Sequence, residues 1–202
     1  MRNSSTPDRL MDAALKLFAE QGSKATTVGA IESEAGMAPR SGALYQHFRG
    51  KQELLEAALD RELAGMDELT HAISMFPLGD LRAELTMLAR WNLASLDQRT
   101  ALTRFVRREA DLLPQRLRSK LYDRLVARPY AEIVAWLGSR FREAGIEPPD
   151  LDVLALILIE PMAAYREFDR LFGRVPAAID DERFIKTWVD AALAIAQRYG
   201  LD

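Results

Sequence analysis

Residues 26–55 read TTVGAIESEAGMAPRSGALYQHFRGKQELL. Thr27 is placed to cap a short helix with Val28, Ile31 and Ala35 on one face, and Gly36 to end it. After a polar turn, Ser41 is a cap for a second, very short helix carrying Leu44-Tyr45-Gln46-His47-Phe48. Lys51 opens a further helix whose Leu54, Leu55, Ala58, Leu59, Leu63 and Met66 face inward. A bracing helix, a turn, a short exposed helix and flanking polar side chains are the parts of a DNA-reading helix-turn-helix.

Upstream of this stretch, Thr6 with Pro7 behind it predicts the start of a first helix, striped by Leu10, Ala14, Leu17 and Phe18 and stopped by Gly22. Downstream, Pro77 and Gly79 predict a break. Beyond it the helical period continues over Asp80–Ser95, Thr100–Leu112, Pro114–Ala144, Asp150–Phe172 and Asp180–Tyr199. Pro129 and Pro161 fall inside two of these and predict kinks. No run alternates as a strand would, so the expected fold is all-α with about nine helices. Residues 1–60 form a three-helix DNA-binding domain in this scheme, and 61–202 a larger helical domain for effector binding and dimerisation.

Composition narrows the function. Of the 202 residues, 49% are hydrophobic and 28% charged, as in a soluble globular protein, and the absence of cysteine excludes disulfides and thiolate metal sites. No signal peptide is expected, and the most apolar segment, Leu151 to Ile159, ends at Glu160-Pro161, too short to span a bilayer. A cytoplasmic protein with no membrane association follows. The net charge of −3 is not that of a globally basic nucleic-acid binder. Residues 1–60 carry seven basic against eight acidic side chains, so a DNA-facing surface must be a local patch around Lys24, Arg40, Arg49 and Lys51.

Ala13-Ala14, Leu17-Phe18, Gly22, Thr26-Thr27, Ile31, Ala35-Gly36, Leu44-Tyr45, His47-Phe48, Lys51 and Leu54-Leu55 together resemble the N-terminal domain of the TetR family of transcriptional regulators. The spacing from Gly36 to Tyr45 is about two residues longer than the commonest family spacing, a variant the family also contains. The resemblance implies a homodimeric repressor that leaves a palindromic double-stranded DNA operator when a small-molecule effector binds. It also implies a DNA-binding set of Thr26, Thr27, Arg40, Ser41, Gly42, Ala43, Tyr45, Gln46, His47 and Lys51. Within it, Tyr45, His47 and Lys51 suit phosphates, while Arg40 and Gln46 are the long side chains suited to guanine and adenine edges.

The C-terminal helices are expected to supply the other two sites. Met87, Trp91, Phe105, Tyr122, Trp136, Met162 and Tyr165 are large or adaptable residues able to line an effector pocket. The last two helices are apolar around most of their circumference, which requires burial on several sides. A second copy of the chain would provide it through Leu154, Ile157, Phe184, Trp188, Ala192 and Ile195. Runs of Arg104, Arg107 and Arg108 and of Arg116, Lys120, Arg124 and Arg128 read as solvated faces.

Catalysis has little to stand on. His47 and His71 are the only histidines, neither with a helical metal partner, and no phosphate loop or serine elbow occurs. No metal or cofactor is expected. The alternative is a helical dimeric ligand-binding protein or enzyme without a DNA-binding role, which leaves Tyr45, His47 and Lys51 unexplained.

Overall fold

A computed structural model of the chain describes residues 5–73 and 79–201, with side chains at 5–64 and 79–201. Pro77 and the side chains of Met66 and His71 lie outside the described residues. Those described contain nine α-helices and no strand: α1 (Thr6–Gln21), α2 (Val28–Glu34), α3 (Lys51–Ile73), α4 (Leu81–Gln98), α5 (Thr100–Glu109), α6 (Gln115–Tyr122), α7 (Arg128–Glu143), α8 (Leu151–Phe172) and α9 (Asp181–Arg198). The fold is all-α, as expected, and the segment between α2 and α3 contains a single 3₁₀ turn, Leu44–Gln46.

Local chemistry explains most boundaries. The cap of α1 is Ser5 rather than Thr6: its hydroxyl accepts from Asp8 N–H while the Asp8 carboxylate accepts from Ser5 N–H, a reciprocal capping box. Asp150 and Asp180 cap α8 and α9 in one direction only, accepting from Val153 and Arg183 N–H. The expected helix over 114–144 is divided instead. Pro129 lacks an N–H, and just before it the ladder slips into a π segment, Asp123–Ala127, in which Arg128 N–H reaches Asp123 O. Pro161, by contrast, is carried inside α8 without a break.

The chain packs as two compact units: Met1–Met66 with Arg99–Leu121, and Asp67–Gln98 with Tyr122–Asp202. The first therefore takes in α5 and most of α6 as well as the N-terminal helices. Its core is Leu10, Ala14, Phe18, Ile31, Leu44, Leu54, Ala58, Leu59, Leu63, Leu102 and Phe105. Phe18 and Phe105 face one another with ring centroids 6.5 Å apart, which welds α5 onto α1. The second unit packs α4, α7, α8 and α9 around Leu88, Leu93, Trp136, Phe141, Leu158, Met162 and Val189. A division at residue 60 by function and this division by packing thus cut the chain differently, because residues 99–121 return to the N-terminal helices.

The packing also redistributes charge. Counted over the first unit there are fifteen Lys and Arg against eleven Asp and Glu; over the second, twelve against nineteen. The acidic protein thus carries its helix-turn-helix in a unit of net charge +4, and the arginines of α5 and α6 make the difference.

Candidate nucleic-acid interface

The bracing helix α2 is held at both ends. Thr27 Oγ1 accepts from Ala30 N–H at 3.1 Å, the expected cap. At the other end Gly36, with φ +75°, completes a Schellman motif: Gly36 N–H reaches Ser33 O and Met37 N–H reaches Glu32 O at 2.8 Å. Lys16 of α1 pairs with Glu34 at 2.5 Å.

The segment between α2 and α3 is irregular and is built around one buried acid. Pro39 and Arg40 occupy the centre of a turn closed by Ser41 N–H to Ala38 O at 3.1 Å. Arg40 adopts φ +62°, a left-handed conformation that a non-glycine residue takes only under constraint. Glu32, fully buried, reaches across from α2: Oε2 accepts from Ser41 N–H at 3.1 Å and Oε1 from Leu44 N–H at 3.2 Å. Leu44 and Phe48 sink into the core, and His47 and Phe48 N–H both return to Leu44 O. The short exposed helix is therefore one turn, pinned from below by two apolar anchors and from the side by a carboxylate.

This turn brings Arg40, Ser41, Tyr45, Gln46 and His47 together as exposed side chains, with Gly42 and Ala43 half-buried between them. Tyr45 is 62% exposed, a large aromatic side chain presented to solvent. Ser41 Oγ accepts from Ala43 N–H at 3.3 Å, but the residue at the start of the turn is Ala43, which has no side-chain cap, so Ser41 is not the cap expected of it. Thr27 is exposed on the flank.

Two members of the expected set are placed otherwise. Thr26 is buried, its hydroxyl donating to Gly22 O at 2.8 Å and accepting from Gln21 Nε2, so its side chain is not on a DNA-facing surface. Lys51 is half-buried and its ammonium donates to Ser23 O at 2.9 Å and Thr26 O at 2.7 Å. Two of its three donors are committed to the backbone of the α1–α2 loop, so it shapes that flank rather than standing free.

That loop has a second clamp that sequence reasoning missed. Glu109, at the end of α5, is buried and accepts both Ser23 N–H at 3.2 Å and the Ser23 hydroxyl. Gly22 makes room for it: φ is +88°, and a Cβ there would stand 2.9 Å from Glu109 Oε1. Glu32 and Glu109 sit in sequence like ordinary surface acids; only an acid followed by a left-handed turn and a short helix hints at Glu32.

The expected effector residues do not gather into one pocket. Phe105 belongs to the core of the first unit against Phe18, because α5 packs there. Tyr122 and Met87 are largely exposed and Trp91 half-buried. Trp136, Met162 and Tyr165 are core residues of the second unit. Trp136 Nε1 donates to buried Glu84 at 3.1 Å, while Tyr165 stacks on Phe184 and its single O–H is shared between Ile179 O and Asp181, which consumes its polar tip. An apolar crevice of about 20 Å³ lined by Leu85, Trp136, Leu154, Leu158 and Ile195 lies between these helices.

The expected interface residues divide in a similar way. Leu154, Trp188 and Ala192 are buried in their own unit, Trp188 with Nε1 donating to Leu158 O at 3.0 Å, so they are not available to a second copy. Phe184 and Ile195 are half-buried against the same core, and Ile157 is exposed. The breadth of α9 is absorbed within the unit. That of α8 is not: Val153, Leu156, Ile157, Phe168, Leu171 and Phe172 form a stripe along its outer side, each 44% or more exposed.

Residues 10–58 match the family model for bacterial regulatory proteins, tetR family. The transcriptional repressor KstR2 of Mycolicibacterium smegmatis is 43% identical over 56 residues, 28% of this chain and 26% of that protein. The chain spans between about a fifth and two fifths of the length of the curated relatives it matches, all of them transcriptional regulators. A tetR-family regulatory protein from Rhodococcus RHA1 superposes with TM-score 0.69 at 22% identity, covering 99% of this chain and all of that one. AibR in complex with isovaleryl coenzyme A and operator DNA superposes with TM-score 0.68 at 15% identity, covering 93% and 97%. At these identities the structural likeness concerns the fold. Among the described residues no helix is long and apolar enough to cross a membrane.

Proposed function

We propose that this chain, whose residues 10–58 match the tetR family model, is a dimeric, cytoplasmic transcriptional repressor of that family, released from a palindromic operator by a small molecule. The observation that carries the reading is the pinned turn, with Arg40, Tyr45, Gln46 and His47 presented to solvent from a unit of net positive charge. Arg40 and Gln46 read base edges; Tyr45, His47 and Thr27 hold phosphates on either side. Lys51 and Glu109 set the backbone of the α1–α2 loop that supports this grip.

Dimerisation is supported by the outer stripe of α8, which a second copy covers by twofold symmetry, Val153, Leu156, Ile157, Phe168, Leu171 and Phe172 meeting their equivalents. The effector site is assigned to the second unit around Trp136 and Leu158, where entry of a ligand requires the helices to part. Coupling between ligand and DNA then follows from two states of the dimer with different spacing of the reading turns.

Footprinting on the DNA flanking its own gene, backed by selection from a random duplex library, tests the reading. A protected inverted repeat is expected. Tyr45→Ala then weakens selected and random duplexes alike, by about tenfold, and flattens the salt dependence, while Gln46→Ala relaxes preference at one or two positions. Protection of no sequence in either experiment overturns the function. Sedimentation of Leu156→Glu/Phe168→Glu as a folded monomer, against a wild-type dimer, tests the α8 interface.

A further inference from the structure

We propose that Glu32 is a positioning residue for sequence reading: its carboxylate holds the turn between α2 and α3 in the one conformation that presents Arg40 and Gln46 together. The proposal rests on the DNA-reading function above. A single helical turn does not hold itself, because fixing its dihedral angles costs more than its first hydrogen bond returns. Here the backbone supplies the bonds from Tyr45, Gln46, His47 and Phe48 N–H and one from Ser41 N–H to Ala38 O, and Leu44 N–H needs a partner from elsewhere. Glu32 provides it from a neighbouring helix, taking Leu44 N–H on Oε1, and on Oε2 it shares Ser41 N–H with Ala38 O.

Ser41 N–H directly follows Arg40, the residue at φ +62°. The bond from Ser41 therefore restrains the backbone where it is least comfortable. The main chain of the same residue restrains the other end of the loop, since Glu32 O accepts Met37 N–H. Residues 37–44 thus start and finish on one amino acid of α2. The stem of Arg40 also lies over α2, with Cγ 3.6 Å from where a Cβ of Gly29 would stand. A fully buried carboxylate survives only because both oxygens receive N–H groups, so it has no slack to follow a shifted turn.

Three measurements on the full-length protein decide this. In the wild type, amide exchange by NMR is expected to be slower at Ser41 and Leu44 than at Gly42. Glu32→Gln keeps one acceptor but turns a donor toward the other N–H, and is expected to speed exchange at one or both amides. Fluorescence anisotropy then compares a duplex selected from a random library by the wild type with its scrambled counterpart at two salt concentrations. Glu32→Gln is expected to weaken the selected duplex about tenfold, the scale of one lost charge-assisted hydrogen bond, with the scrambled duplex within about twofold and an unchanged salt slope.

Equal weakening of both duplexes overturns the proposal, as do unprotected Ser41 and Leu44 amides in the wild type. If Glu32→Gln does not fold, Glu32→Asp, which keeps the charge and loses one methylene of reach, carries the same comparison: selective weakening supports the proposal and equal weakening overturns it. A wild type with protected amides that selects no duplex overturns the DNA function and this inference with it. That result is distinct from failure of the inference alone, in which wild-type selection succeeds and the variant keeps its preference.

Discussion

In the helix-turn-helix unit the buried carboxylates of Glu32 and Glu109 each accept two hydrogens from an irregular segment, Ser41 and Leu44 N–H in one case, Ser23 N–H and hydroxyl in the other. In the second unit the buried carboxylate of Glu84 accepts an indole N–H from Trp136 and a backbone N–H from Gly79, and so closes an apolar core. Both units bury charge, but the first uses it on loops that must keep a fixed shape while facing water. Apolar packing holds such loops only from beneath, as Leu44 and Phe48 do, since their outer sides have nothing to pack against. The second unit leaves its outer apolar surface on α8, which is what a partner subunit would need. Precision in one unit is polar and local; in the other it is apolar and spread over long helices.

The largest test of this contrast lies in the core that the loops stand on. Phe105→Ala removes a fully buried ring from α5 and is expected to cost about 3–5 kcal/mol, read by chemical denaturation. If α5 belongs to the reading unit as its packing on Phe18 indicates, DNA affinity falls with it. Next comes Glu109→Ala, which leaves Ser23 N–H and hydroxyl facing a buried gap. A loss of about 2 kcal/mol is expected, the cost of unsatisfied buried groups. Wild-type stability in that variant would mean that water replaces the carboxylate, and the polar clamp would lose its importance.

The smallest effect sharpens the second half of the comparison. Arg166 holds Asp181 in two bonds of 2.7 Å and, with Tyr165, keeps its carboxyl below the usual value of 3.8 against a smaller opposing effect of burial. An acid depressed in this way stabilises the fold above its unfolded pKa, and the contribution is lost as pH falls through the folded value. Asp181→Asn is therefore expected to cost about 0.5–1 kcal/mol at neutral pH, discounted for the half-exposed carboxylate, with the difference from wild type shrinking at acid pH as the carboxylate takes up its proton. Denaturation at the two pH values measures it. A difference that persists in acid would place the effect in packing instead.

Helix periodicity, caps and punctuation were enough to read an all-α fold, the inward side of α3 from Leu54 to Leu63, the Asp150 and Asp180 starts, and an exposed turn around Tyr45. Each of these follows from residues within a few positions of one another, where backbone geometry fixes which side chains share a face. Tertiary structure alone decided that Thr26 is sealed, that Lys51 and Glu109 clasp the α1–α2 loop, that Phe105 belongs with Phe18, and that Trp188 points inward while Ile157 does not. A broad apolar helix does not say which of its sides faces its own subunit, and an acid at position 32 does not say which N–H groups it will meet. Those answers depend on contacts between residues distant in sequence, 86 positions apart for Ser23 and Glu109, which no local pattern encodes.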